Sequence, residues 1–97
     1  MKDTIAVIGA GVIGGSVVKS LLKSGYDGKI IVAEIMSEKA RELEQLGVAV
    51  TSDNREATRE AGFVFLCVKP NILKTVLKEV SREIRETCSV YCCSGYC

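Results

Sequence analysis

Apolar residues in this chain fall in short blocks whose period changes from block to block. Thr4 to Ile8 is apolar after its first residue, the pattern of a strand buried on both faces. Ile13, Val17 and Leu21 then recur at helical spacing with Val18 and Leu22 beside them, predicting a helix over Ile13 to Leu22 with one apolar stripe. Gly25 stands where that helix should stop. Lys29 to Glu34 reads as a second strand. Ser37 is placed to cap a second helix with Ala40, Leu43 and Leu46 facing inward, ended by Gly47. Val48 to Thr51 is a short third strand. Asp53 followed by Glu56 resembles a capping box and opens a short helix ending near Gly62. Phe63 to Val68 is the fourth strand and the most apolar. Pro70 suits the first turn of a fourth helix. Ile72, Leu73, Val76, Leu77, Val80 and Ile84 supply its periodicity. Ser89 to Cys92 carries a weaker strand pattern.

Short strands alternating with helices predict βαβ units and a parallel sheet. Right-handed crossovers then give the strand order 3-2-1-4, with a fifth strand beyond the fourth. The expected fold is a Rossmann-type α/β domain: four to five parallel strands, order 3-2-1-4-5, with helices on both faces. The first and fourth strands are neighbours whose connections run to opposite sides. The crevice between their ends is a topological switch point, where such sheets bind ligands.

The loop leaving the first strand has a chemistry to match. Gly9-Ala10-Gly11-Val12-Ile13-Gly14 lies between a strand and a helix, the context that makes this glycine spacing a dinucleotide fingerprint rather than only a tight turn. Gly9 permits the turn, Gly11 lets the backbone approach a pyrophosphate, and Gly14 lets the helix pack close to the sheet. The anion would rest at a helix N-terminus, where open N–H groups and the helix dipole favour it. Glu34 ends the second strand, where a carboxylate can accept hydrogen bonds from adenosine ribose hydroxyls and would repel a 2′-phosphate. It therefore points to NAD(H) as the preferred cofactor, with NADP(H) possible because Lys39 or Arg55 could reach a phosphate. Asn54 is a candidate for the adenosine side. Val68-Lys69-Pro70 should form the other wall of the crevice, with the proline holding Lys69 extended. The plainer alternatives are a solvated charge at Glu34, a helix-start residue at Asn54 and an ordinary connection at Lys69.

Composition narrows the classes. Ninety-seven residues with 47% apolar and 26% charged positions suit a single globular domain. Thirteen basic residues against twelve acidic ones leave a net charge of +1, which gives no footprint for nucleic acid. No run is long and apolar enough for a membrane span and no signal-peptide pattern opens the chain, so a soluble cytoplasmic protein is expected. Cys67 reads as a small core residue. Cys88, Cys92, Cys93 and Cys97 crowd the last ten positions without a familiar zinc spacing and without any histidine, so no metal is expected. No nucleophile with its base is recognisable, and no catalytic residue is assigned.

Three segments together resemble one known family, the pyrroline-5-carboxylate reductases, in their N-terminal dinucleotide-binding domain. They are Ile8-Gly9-Ala10-Gly11 with Gly14 and Gly15, Gly47-Val48-Ala49-Val50-Thr51-Ser52-Asp53-Asn54, and Val64-Phe65-Leu66-Cys67-Val68-Lys69-Pro70. The resemblance covers about residues 2 to 87. It implies hydride transfer from a nicotinamide cofactor to the ring imine of 1-pyrroline-5-carboxylate, the last step of proline biosynthesis. It also implies that the glycine loop holds the pyrophosphate, that Asn54 lies by the adenosine, and that Val68-Lys69-Pro70 lines the cofactor cleft. Three features depart from the family. Glu34-Ile35 stands where a polar residue and then an arginine often serve a 2′-phosphate. Ser89 to Gly95 stands where a small-residue segment is usual. The helical C-terminal domain that binds substrate and builds the dimer does not follow.

Residues 1–97 are therefore expected to be one dinucleotide-binding domain, family-like over 1–87 and atypical in the Cys-rich stretch 88–97. A truncation is expected, with a frameshift near Thr87 as one cause that the gene's nucleotide sequence would test. Such a chain should bind the dinucleotide, take the imine substrate only with the missing domain, and self-associate through an exposed sheet edge. The competing readings are a stand-alone dinucleotide-binding regulatory module and a related deazaflavin-dependent NADP reductase. A methyltransferase using S-adenosylmethionine is a more distant one.

Overall fold

The computed structural model describes residues 3–9, 12–84 and 89–92. The apolar blocks become strands β1 (Thr4–Ile8), β2 (Ile30–Ala33), β3 (Ala49–Thr51), β4 (Ala61–Leu66) and β5 (Ser89–Cys92). The helical blocks become α1 (Val12–Lys23), α2 (Ser37–Gln45), α3 (Asn54–Arg59) and α4 (Pro70–Val80). All strand pairings are parallel, and the order is β3-β2-β1-β4-β5. The weak fifth strand is thus present, with Phe63 in register with Ser89 and Leu66 with Cys92.

Successive residues of an inner strand point to opposite faces, so both faces must be apolar and covered. On one face Ile5, Val7, Ile30 and Val32 pack with Val18 of α1 and Leu43 of α2. On the other, Ala6, Ile8, Val64 and Leu66 pack with Ala57 of α3 and Leu73 and Val76 of α4. Ala6, Val7, Val32, Val64 and Leu66 are wholly shielded from solvent. The helices therefore divide into two layers with the sheet between them, and the carboxyl ends of all strands meet along one edge.

Helix ends follow local rules, with three differences from the sequence pattern. At the end of α1 the Gly25 N–H donates to the Leu22 carbonyl and the Tyr26 N–H to that of Leu21, both at 3.2 Å. This is a Schellman stop, and Gly25 has the positive φ (83°) that it requires. Ser37, however, does not cap α2. The N-cap is Met36, whose N–H donates to the Glu34 carboxylate at 2.9 Å. The expected capping box is half formed: Asp53 caps α3 by accepting the Arg55 N–H at 2.9 Å, while the Glu56 carboxylate accepts from the Thr51 hydroxyl at 3.3 Å. Leu46, expected inward, is 42% exposed because α2 ends at Gln45 and Leu46 begins its closing turn.

At the opposite edge of the sheet, the Tyr26 hydroxyl donates to the Asp3 carbonyl. Burial, with Asp3 and Asp27 nearby, pushes that hydroxyl above its ordinary pKa. A Cβ at Gly62 would lie 2.8 Å from Cβ and Cγ of Asp3, so a side chain there would push Asp3 aside. These contacts join the chain ahead of β1 to the start of β4 and to the turn after α1.

Candidate dinucleotide site

β1 and β4 are hydrogen-bonded neighbours, so their exits are side by side. The Cys67 N–H donates to the Ile8 carbonyl at 2.8 Å, and the Gly9 N–H donates to the Ala33 carbonyl at 3.0 Å. Three strand ends are thereby tied together at the two adjacent residues Ile8 and Gly9. Gly9 adopts φ 90°, a left-handed conformation that a side chain disfavours. A Cβ there would also lie 2.8 Å from the Cys67 carbonyl oxygen and 3.1 Å from Val68 Cγ1. Two segments almost sixty positions apart in sequence thus form one crevice, as the strand order requires.

Gly14 is closer still to its neighbours. A Cβ on it would lie 2.0 Å from the Gly9 carbonyl oxygen, with Cys67 Cβ at 3.4 Å. The first turn of α1 rests directly on the exit of β1, and this brings the helix N-terminus over the crevice. Ala10 and Gly11 lie outside the described residues, while Val12 and Ile13 are the first two residues of α1.

The electrostatics of the crevice suit an anion. Neither α1 nor α4 has an acidic residue in its first turn, whereas α2 carries Glu38 there and α3 carries Glu56. The two helix ends beside the crevice therefore keep their partial positive charge. α4 opens with Pro70, and Lys69 before it is extended (φ −63°, ψ 148°) and exposed. Val68 packs against the core beneath it.

The adenosine-side candidates are on the neighbouring strand ends. Glu34 directly follows β2, and its N–H donates to the Thr51 carbonyl at 2.9 Å. Its carboxylate is half-buried and is oriented by the Met36 N–H. Ile35 beside it is 82% exposed, an apolar side chain on the rim. Asn54 is the first residue of α3 and half-buried. Asp53, not Asn54, caps the helix, and the Asn54 side-chain amide bonds to no described residue. Lys39 is half-buried on α2, and Arg55 Nε lies 3.9 Å from Asp53 Oδ1.

Two residues escape the sequence reading. Cys67 is half-buried, and its main chain forms the wall facing Gly9. Thr51 links the two adenosine-side candidates, and the signal for it was a hydroxyl residue two positions before Asp53. Among the described residues no three His, Cys, Asp or Glu side chains gather as a metal site. No helix among them is long and apolar enough to cross a membrane. Cys88, Cys93 and Cys97 lie outside the described residues, as does Thr87.

Comparison with known proteins decides the family. The family described as NADP oxidoreductase, coenzyme F420-dependent, matches residues 4–92. The chain belongs to it. Among curated relatives of this oxidoreductase domain, pyrroline-5-carboxylate reductase of Corynebacterium melassecola is 40% identical over 80 residues, covering 80% of this chain and 30% of that protein. The chain thus spans about a third of the length of such relatives. Among solved structures, the pyrroline-5-carboxylate reductase of Coxiella burnetii superposes with a TM-score of 0.82 at 34% identity, over 90% of this chain and 33% of that one. An imine reductase from Myxococcus stipitatus was solved with NADP+ (TM-score 0.79, 27% identity, 92% of this chain and 31% of that one). A variant of it was solved with NAD+ (TM-score 0.77, 31% identity, 88% and 30%). The resemblance carried by the three sequence segments is therefore sound, and the neighbours divide between both nicotinamide cofactors.

Proposed function

We propose that this domain is the cofactor half of a pyrroline-5-carboxylate reductase and that it prefers NAD(H). The carrying observation is the cradle at Gly9 and Gly14, where an added Cβ would meet backbone oxygen at 2.8 and 2.0 Å. A backbone laid that closely sets the N-terminus of α1 over the exit of β1, where a pyrophosphate would rest against its open N–H groups. Gly9, Ala10, Gly11, Val12, Ile13 and Gly14 would hold the pyrophosphate. Glu34 and Asn54 would take the adenosine, and Val68, Lys69 and Pro70 would line the nicotinamide side. A reduced nicotinamide, when bound, supplies the hydride for a C=N bond. The chain's own residues bind and orient it. Recognition and alignment of the imine, worth about 7–11 kcal/mol of barrier in well-oriented systems, fall to residues of a further domain. The F420 in the family's description is less well supported for this chain, because Glu34-Ile35 and the Asp53-Asn54 segment favour a nicotinamide reductase of the pyrroline-5-carboxylate type.

Titration of the purified chain with NADH, followed by nicotinamide fluorescence, is expected to saturate. The chain alone is expected to form no proline. Replacing the matched segment of the Corynebacterium relative by this chain should then restore imine-dependent NADH oxidation. Absence of saturable binding would refute the dinucleotide reading. Binding without function in the chimera would favour a stand-alone regulatory module.

Self-association is proposed from the same geometry. Among the described residues β3 and β5 are the outer strands of the sheet, and a strand edge can offer backbone groups to a second copy. Sedimentation should show a concentration-dependent dimer, and a clean monomer at high concentration would exclude it.

A further inference from the structure

Glu34 and Asn54 sit on different strand-to-helix connections, yet one residue binds both connections. Thr51 ends β3 and is half-buried. Its carbonyl accepts the Glu34 N–H at 2.9 Å, which fixes the backbone of the acid at the end of β2. Its hydroxyl accepts the Asp53 N–H at 3.1 Å and donates to Glu56 Oε2 at 3.3 Å. Asp53 in turn caps α3, whose first residue is Asn54. The hydroxyl therefore holds the β3–α3 turn at its start and at the first turn of the helix. Asn54, half-buried and first in α3, directly follows that turn, and its side-chain amide bonds to no described residue. A side chain used locally in this way competes with regular structure and specifies one turn geometry.

We infer that Thr51 is a positioning residue for the adenosine end of the site: its hydroxyl sets the turn that presents Asn54, and its carbonyl anchors Glu34. This inference rests on the dinucleotide reading above. Thr51→Val keeps the shape, the strand preference and the carbonyl, and removes only the hydroxyl. The Asp53 N–H and the Glu56 carboxylate then lose their partner, and Asn54 loses its fixed direction while Glu34 does not.

The test is a set of ADP-ribose and NADH titrations on the full chain. Thr51→Val and Asn54→Ala should each weaken ADP-ribose binding about tenfold, and the double variant should be no weaker than about tenfold. Thr51→Ser should stay within about twofold of the parent. If Thr51→Val does not fold, Thr51→Ala replaces it in the cycle. Parent-like binding by the hydroxyl-less variant or by Asn54→Ala would overturn the inference. So would multiplication of the two losses in the double variant, or a loss in Thr51→Ser as large as that in Thr51→Val. A parent chain that binds neither ligand refutes the dinucleotide reading itself, an outcome distinct from failure of the Thr51 role.

Discussion

Replacing Gly14 by alanine is expected to abolish NADH binding and to lower the melting temperature by more than 10 °C. Propensity alone would predict the reverse, since alanine in a helix is favoured over glycine by about 1 kcal/mol. The contact decides otherwise. The new Cβ would lie 2.0 Å from the Gly9 carbonyl oxygen, which is backbone and not the end of a flexible side chain. That carbonyl has little freedom to retreat, because the Gly9 N–H is bound to Ala33 and its Cα faces the Cys67 carbonyl. Either the first turn of α1 lifts or the exit of β1 shifts, at a cost of about 3 kcal/mol for overpacking of this kind. In a domain of this size each kcal/mol moves the melting temperature by about 4–8 °C. Both movements also dismantle the pyrophosphate cradle, so affinity should fall by more than about a hundredfold even in molecules that remain folded. Gly25→Ala is the control. Gly25 has φ 83° with nothing within 4 Å of the added Cβ, so it should cost about 1–2 kcal/mol from conformation alone. Its NADH affinity should be unchanged. Thermal melts and fluorescence titrations on the two variants check this. Parent-like NADH binding by Gly14→Ala would show that the cradle is not the anion site.

This contrast marks how much of the site was legible in the sequence. Gly9, Gly14 and Gly25 could be placed because each answers a backbone demand that one residue type meets, and such demands survive without tertiary information. Pro70 and the alternation of strands and helices were legible for the same reason, and with them the strand order. The crevice followed from that order, because the pairing of β1 with β4 necessarily joins Gly9 to Cys67 and Val68. Capping was read less well. α2 starts one residue earlier than a Ser37 cap requires, with the Ala40 N–H donating to the Met36 carbonyl, and the Glu34 carboxylate takes the Met36 N–H by reaching forward along the chain. Glu56 was likewise drawn to the Thr51 hydroxyl instead of the Asp53 N–H, which Thr51 also satisfies. Where several short polar side chains can reach one donor, the winner depends on distances that spacing does not encode. The wall made by the main chain of Cys67 was hidden for a different reason: it uses no property of the side chain. No nucleophile with its base is recognisable in the sequence, so imine chemistry offered no signal to read.

Cofactor preference is expected to follow from charge at a fixed place. The parent chain is expected to bind NADH at least about tenfold more tightly than NADPH at low salt. Glu34 is held at the end of β2 by two bonds: its backbone N–H donates to the Thr51 carbonyl, and its Oε2 accepts from the Met36 N–H. A 2′-phosphate carries a charge of about −1.5 to −2 near neutrality. At about 4–5 Å from a carboxylate, with an effective dielectric near 20, each unit of charge costs roughly 3–4 kcal/mol before screening. Half-burial and salt reduce this, and the remainder still exceeds one factor of ten. On the proposed reading the same carboxylate would accept from ribose hydroxyls, so it is expected to favour NADH and to repel NADPH. On the rim Ile35 is apolar and Arg55 lies beside Asp53, which leaves Lys39 on α2 as the cation that could offset part of this repulsion. Glu34→Gln keeps an acceptor for the Met36 N–H and removes only the charge. It should weaken NADH by no more than about fivefold and strengthen NADPH by about tenfold, which takes a roughly tenfold preference for NADH to between parity and about fivefold in favour of NADPH. Raising the salt should narrow the preference of the parent chain and leave that of Glu34→Gln unchanged, because only the first is a charge effect. Parallel titrations with both cofactors at two ionic strengths measure all four quantities. Equal affinities in the parent, or a ratio that Glu34→Gln does not move, would remove Glu34 as the determinant and leave the loop geometry of Ile35 and Met36 as the place to look.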